Sequence, residues 1–158
     1  MRVMTTRFSE IEVPEDRVLQ FPRGLIGFET YKKFALVSRG DSPFMWLQSL
    51  DDPALAFVVT DPAAFVPDYK PQIDCDSLRL LGVALSSDLH YLCIAVVPSD
   101  PSKTTINLRA PIAVNQGARL AIQVVTLNPE DPMKYPVFER CGGTAGGDPH
   151  TGCGGLWG

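Results

Sequence analysis

FMWLQSLDDPALAFVVT, residues 44–60, contains two candidate β-strands, Phe44 to Ser49 and Leu55 to Thr60. The pair Asp52-Pro53 lies between them, and Asp61-Pro62 follows the second. A residue before proline is pushed out of the helical region, so each Asp-Pro pair ends a strand and opens a turn. Trp46 and Gln48 fall on one face of the first strand, and Phe57 and Val59 on one face of the second, because side chains alternate along a strand.

The same grammar runs along the chain. Further strands are read at Met4 to Val13, Arg17 to Phe21, Phe34 to Ser38, Leu78 to Leu85, Leu92 to Val97, Thr104 to Arg109, Ile112 to Val114 and Leu120 to Leu127. They are short, rich in β-branched and aromatic residues, and bounded by turn formers. Fourteen prolines punctuate them, and Asp-Pro occurs at Asp52, Asp61, Asp100, Asp131 and Asp148. A short helix is expected at Gly27 to Lys33, and no stretch of 12 or more residues free of Gly and Pro carries helical periodicity. The expected fold class is all-β: a small antiparallel β-barrel or sandwich-like single domain over residues 1–140. AFVV, CIAVV and AIQVV are apolar on both faces, so part of the outer surface must be covered by a loop, a helix or a partner. Residues 141–158, with eight glycines in 18 positions, read as a flexible Gly-rich C-terminal tail.

Charge is concentrated in one place. Residues 51–76 carry six aspartates and one lysine, a local charge of −5, while the remaining 132 residues sum to +1. An acidic patch on a β framework suits a basic partner, and the sequence pI of 5.1 argues against non-specific binding to nucleic acid or anionic lipid. Segment MRVMTTRFSEIEV has no apolar core of a secretory signal, and the longest apolar run, Tyr91 to Pro98, is far short of a membrane span. A cytoplasmic protein with reduced cysteines is expected.

Catalytic motifs are missing. The sequence contains no G-x-S-x-G, H-E-x-x-H, G-x-x-x-x-G-K-[ST] or G-x-G-x-x-G, and only two histidines, His90 and His150. His90 reads as a turn histidine before the Tyr91 strand. No catalytic residue, cofactor or metal is assigned. Cys141, Asp148, His150 and Cys153 lie within 13 residues, but the two cysteines lack the paired spacing of rigid zinc modules.

Three blocks together resemble a known family. They are FPRGLIGFE at Phe21 to Glu29, PFMWLQSLDDPALAFVVTDP at Pro43 to Pro62 (running on to the PDY of Pro67 to Tyr69), and KTTINLRAPIAVNQGARLAIQVV at Lys103 to Val125. In this order and spacing the chain is similar to the FliW flagellar assembly factors. The resemblance implies a non-enzymatic regulator that binds flagellin and the translational repressor CsrA, without touching nucleic acid or membrane. Flagellin would compete the factor away from CsrA, which then represses flagellin message. On this reading Asp51, Asp52, Asp61, Phe65, Asp68 and Tyr69 are expected to face CsrA. Phe44, Trp46, Phe57, Ile106, Asn107 and Leu108 are expected to face flagellin. Ile26 stands where the family commonly has proline. The alternatives are a β-module whose Cys/His tail binds metal, and a small β-barrel enzyme using the carboxylates or His90.

Overall fold

The computed structural model describes residues 2–138 except Arg7 and Arg39. The tail, and with it the Cys/His metal alternative, lies outside the described residues.

Eleven strands and one α-helix are present among those residues: β1 (Arg2–Thr5), β2 (Ser9–Glu12), β3 (Val18–Gln20), β4 (Lys33–Ser38), β5 (Phe44–Ser49), β6 (Ala56–Thr60), α1 (Cys75–Leu81), β7 (His90–Val96), β8 (Thr105–Ile106), β9 (Ile112–Asn115), β10 (Leu120–Gln123) and β11 (Tyr135–Pro136). Strands β3 to β7 pair antiparallel in chain order. At β7 the pairing forks. Its first half takes β9 through His90↔Val114 and Leu92↔Ile112, and its second half takes β8 through Ala95↔Ile106. Strand β9 continues to β10, and β10 meets β3 in parallel at Leu120↔Gln20. That last contact closes a seven-stranded barrel.

Alternation fills the inside. Leu19, Phe34, Leu47, Val59, Leu92 and Ile112 are buried in one cluster, with Leu36, Met45, Phe57 and Ile94 packed against it. Register keeps like faces together: Leu36 stands opposite Leu47, and Met45 opposite Val59. The outer apolar face is covered by the chain itself, in three places. The β1–β2 hairpin lays Val3, Val13 and Phe8 over Ala35, Val37 and Trp46. Helix α1 sets Leu78 and Leu81 on Ala113, Ile122 and Val124. Phe65, Leu108, Val137 and Phe138 cover Cys93 and Ala95.

Four expectations are corrected. The strand expected at Leu78 to Leu85 is largely helix. Asp74 accepts from the Ser77 N–H at 3.0 Å and the Ser77 hydroxyl at 2.7 Å, and Gly82 (φ +78°) ends the helix with its N–H on the Leu78 and Arg79 carbonyls. The single strand at Met4 to Val13 is a hairpin, turned where Thr5 Oγ1 accepts from Phe8 N and donates to Ser9 O. Gly27 to Lys33 makes no helix, because Gly24 (φ +65°) and Gly27 (φ +87°) fold it into tight turns. Strands at Thr104 to Arg109 and Leu120 to Leu127 are shorter than expected, ending at Ile106 and Gln123.

Candidate functional site

Antiparallel order gives the barrel two rims, and the acidic stretch is divided between them. Asp51 and Asp52 sit in the β5–β6 turn, at the upper rim. Asp61 follows β6, at the lower rim, roughly 17 Å away for five strand residues at about 3.3 Å each. Asp74 caps α1 and Asp76 lies in its first turn, where Asp76 pairs with Arg79 at 3.1 Å, both side chains largely exposed.

The upper rim is held by a polar lock. Ser49 Oγ accepts from Asp51 N and Asp52 N, each at 3.0 Å. Gln48, 1% exposed, donates through Nε2 to the Pro53 carbonyl at 3.0 Å and the Leu55 carbonyl at 3.2 Å. Asp52 Oδ1 accepts from Ala54 N at 3.0 Å, and Asp51 Oδ2 from Lys32 N at 3.2 Å. The two carboxylates therefore stand at fixed positions with lone pairs still directed to solvent. Glu29 joins them on the neighbouring loop. The Gly27 N–H, 3.0 Å from its Oε2, holds its carboxyl below the ordinary range. Lys32 and Lys33 share this rim, so it carries both signs.

Below the carboxylates the rim is plugged by aromatic rings. Phe21 meets Phe34 edge-on at 5.2 Å, and Phe28 meets Phe57 edge-on at 5.1 Å. The plug depends on Gly24, where a Cβ would stand 2.6 Å from the Glu29 Cα. Ile26 donates its N–H to Gln123 Oε1 at 2.9 Å, a bond that proline at this position cannot make.

The other expected residues on the CsrA side lie lower. Asp61 Oδ1 accepts from Ala63 N at 2.9 Å and starts the 3₁₀ turn Pro62–Ala64. Asp68 is exposed on the same loop. Phe65 is buried, tilted against Phe44 at 5.9 Å. Tyr69 is half-buried, and its hydroxyl donates to the Leu108 carbonyl; burial pushes the phenol's pKa up. Both aromatics, expected to face CsrA, brace the loop from within.

Half of the residues expected to face flagellin are interior. Ile106 and Leu108 are buried, and Phe57 packs in the barrel. Trp46 lies half-buried with its ring 5.9 Å from Phe8, and Phe44 lies half-buried beside Phe65. Asn107 Oδ1 accepts from Arg109 N and Ala110 N, both at 3.0 Å, which bends the chain after β8. The exposed apolar surface is next door. Ile26, Val125 and Met133 line a concavity of about 580 Å³ with Arg109 and Gln123 at its edge. Ile26, Val125, Leu127 and Met133 are each more than half exposed. Along this segment buried Val124 and Thr126 alternate with exposed Val125 and Leu127, a pattern that the apolar run Val124-Val125-Thr126-Leu127 does not show in the sequence.

Among the described residues, no group of three His, Cys, Asp or Glu is placed to hold a metal ion, and no helix is long and apolar enough to cross a membrane.

The FliW protein family model matches residues 2–137. The chain belongs to the FliW family. A flagellar assembly factor FliW from Syntrophus aciditrophicus is 40% identical over 141 residues, covering 89% of this chain and 89% of that protein. Another, from Caldicellulosiruptor bescii, is 37% identical over 84% of this chain and 88% of its own length. A crystal structure of the flagellar assembly factor FliW superposes with a TM-score of 0.78 at 33% identity, covering 87% of this chain and 97% of that one. The matched span takes in both rims of the barrel and all three sequence blocks that carry the FliW resemblance.

Proposed function

We propose that this chain is a flagellar assembly factor acting in the cytoplasm by protein–protein contact and without catalysis. It binds flagellin and CsrA in turn, and its hold on CsrA relieves repression of flagellin message. The observation that carries this reading is membership of the FliW family across nearly all described residues, among relatives named flagellar assembly factors.

Asp51 and Asp52 on the locked upper-rim turn are assigned to the basic partner. Rigidly held carboxylates steer a cationic surface and fix its register. Asp61 and Asp68, on the loop braced by Phe65 and Tyr69, form a separate acidic site on the same side of this proposal. The apolar concavity of Ile26, Val125 and Met133 is assigned to flagellin, since exposed apolar patches mark protein contacts. It replaces Ile106 and Leu108, which the core occupies.

The test is calorimetric titration of CsrA into two double reversals, Asp51→Lys/Asp52→Lys and Asp61→Lys/Asp68→Lys, at low and moderate salt. The upper-rim pair is expected to weaken binding about tenfold at low salt and to flatten its salt dependence, the response of a steering patch. Unchanged affinity and salt slope in both variants removes the acidic surface from the interface.

A further inference from the structure

The barrel is closed at one end and open at the other. Phe21, Leu25 and Phe28 fill the upper mouth. The lower mouth holds a cavity of about 410 Å³. Its floor is the barrel interior: Leu19, Leu36, Met45, Leu92 and Val114. Its wall is polar and of both signs, with Asp16 and Arg17 from the turn before β3, Asp61 after β6, His90 at the start of β7, and Gln116 from the β9–β10 turn. These side chains come from three separate connections and the first residue of β7, and only barrel closure brings them around one opening.

The wall groups also hold unused bonding capacity. Asp16, His90 and Gln116 make no side-chain hydrogen bond or ion pair among the described residues. Asp61 spends one oxygen on Ala63 N, and Arg17 makes a single 3.5 Å contact with Ser38 Oγ. Mouths of small β-barrels are recurrent ligand sites, and this volume lies within the ordinary range of about 300–1,000 Å³. The charge pattern narrows the ligand. A purely cationic head meets Arg17, and a purely anionic head meets Asp16 and Asp61. A compact head carrying both charges satisfies each set, with an aliphatic body left to rest on the leucine, valine and methionine floor.

We propose that the open lower mouth of the barrel is a binding pocket for a small zwitterion with an apolar body, of the class of free aliphatic α-amino acids. Its ammonium faces Asp16 and Asp61, its carboxylate faces Arg17 and His90, and its side chain displaces water from Leu36 and Met45, the half-buried residues of the floor. The site is at the opposite end of the barrel from Asp51, Asp52 and the Ile26 concavity; it shares Asp61 with the lower acidic site proposed for the basic partner, and Arg17, which has no part in that proposal, distinguishes the two.

The experiment is an NMR titration of the full, methyl-labelled chain with L-leucine. Three analogues serve as controls: 4-methylpentanoate without the ammonium, 3-methylbutylamine without the carboxylate, and L-serine without the apolar body. Leucine is expected to shift the Leu19, Leu36, Met45, Leu92 and Val114 methyls saturably at millimolar concentration, with each control at least about tenfold weaker, the scale of one charge-assisted hydrogen bond for the two singly charged analogues and of the lost aliphatic burial for serine. Arg17→Gln and Asp61→Asn are each expected to weaken leucine about tenfold. Asparagine still caps Ala63 N, so the second variant retains the loop. Absence of saturable shifts at the floor methyls overturns the proposal. So does equal binding of the singly charged analogues, which describes an apolar hole with no reading of the head group.

Discussion

Replacing Gly24 with alanine tests how the upper rim is built, and Gly27 supplies the control three residues away. Both glycines have positive φ, +65° and +87°. An alanine at either therefore carries left-handed strain of about 1–2 kcal/mol, offset by up to about 1 kcal/mol from the stiffer unfolded chain. The surroundings differ. At Gly27 a Cβ meets nothing within 4 Å, whereas at Gly24 it stands 2.6 Å from the Glu29 Cα and 2.7 Å from the Glu29 carbonyl oxygen. Those atoms are backbone and cannot rotate aside, so the loop must move. Moving it breaks the Gly24 N–Phe21 O bond at 2.9 Å and the Phe28 N–Leu25 O bond at 2.8 Å, each worth about 1 kcal/mol. Gly24→Ala is then expected to lose about 3 kcal/mol and Gly27→Ala about 1 kcal/mol. In calorimetry these become falls in Tm of roughly 10 °C and 3 °C, at about 3–4 °C per kcal/mol for a domain of this size. Equal losses in the two variants would refute the close-approach argument and leave only strain.

Asp74→Ala removes the N-cap of α1 and is expected to cost about 1 kcal/mol at neutral pH by denaturant unfolding. The Ser77 hydroxyl and N–H hold the Asp74 carboxyl below its ordinary value, so its contribution is present above the unfolded carboxylate pKa and lost as pH falls through the folded one. The gap between wild type and variant should therefore close in acid; a gap that persists there contradicts the cap. Burial, with Asp61 nearby, pushes the Cys93 thiol up to about 12, while Cys75 is exposed. Iodoacetamide at mildly alkaline pH should modify Cys75 in the native protein and Cys93 only after unfolding, as read by peptide mass spectrometry. Tyr69→Phe leaves the Leu108 carbonyl without its donor and should cost about 1–3 kcal/mol. A neutral result would place that hydroxyl in water.

The β5–β6 hairpin was legible because alternation and Asp-Pro punctuation agree, and β5 runs from Phe44 to Ser49 as read. Barrel closure was not legible, because it rests on one parallel register pair, Leu120↔Gln20, between strands a hundred residues apart. Helix α1 has seven residues, too few for a periodic signal, although its caps Asp74 and Gly82 were in view. The covered outer face was foreseeable from two-sided apolarity, but not which segments cover it. That gap misplaced Ile106 and Leu108, which lie beneath neighbouring segments of the chain itself. The acidic run looked like one patch because sequence proximity hides the length of β6, which carries Asp61 to the opposite rim from Asp52.

The central claim is that this barrel acts by gripping two proteins in turn. Native mass spectrometry of the chain mixed with purified CsrA and flagellin at low ionic strength tests it directly. The account predicts a complex with each partner alone and, with both present, loss of the CsrA complex as flagellin is added. Failure to bind either partner under those conditions would contradict it.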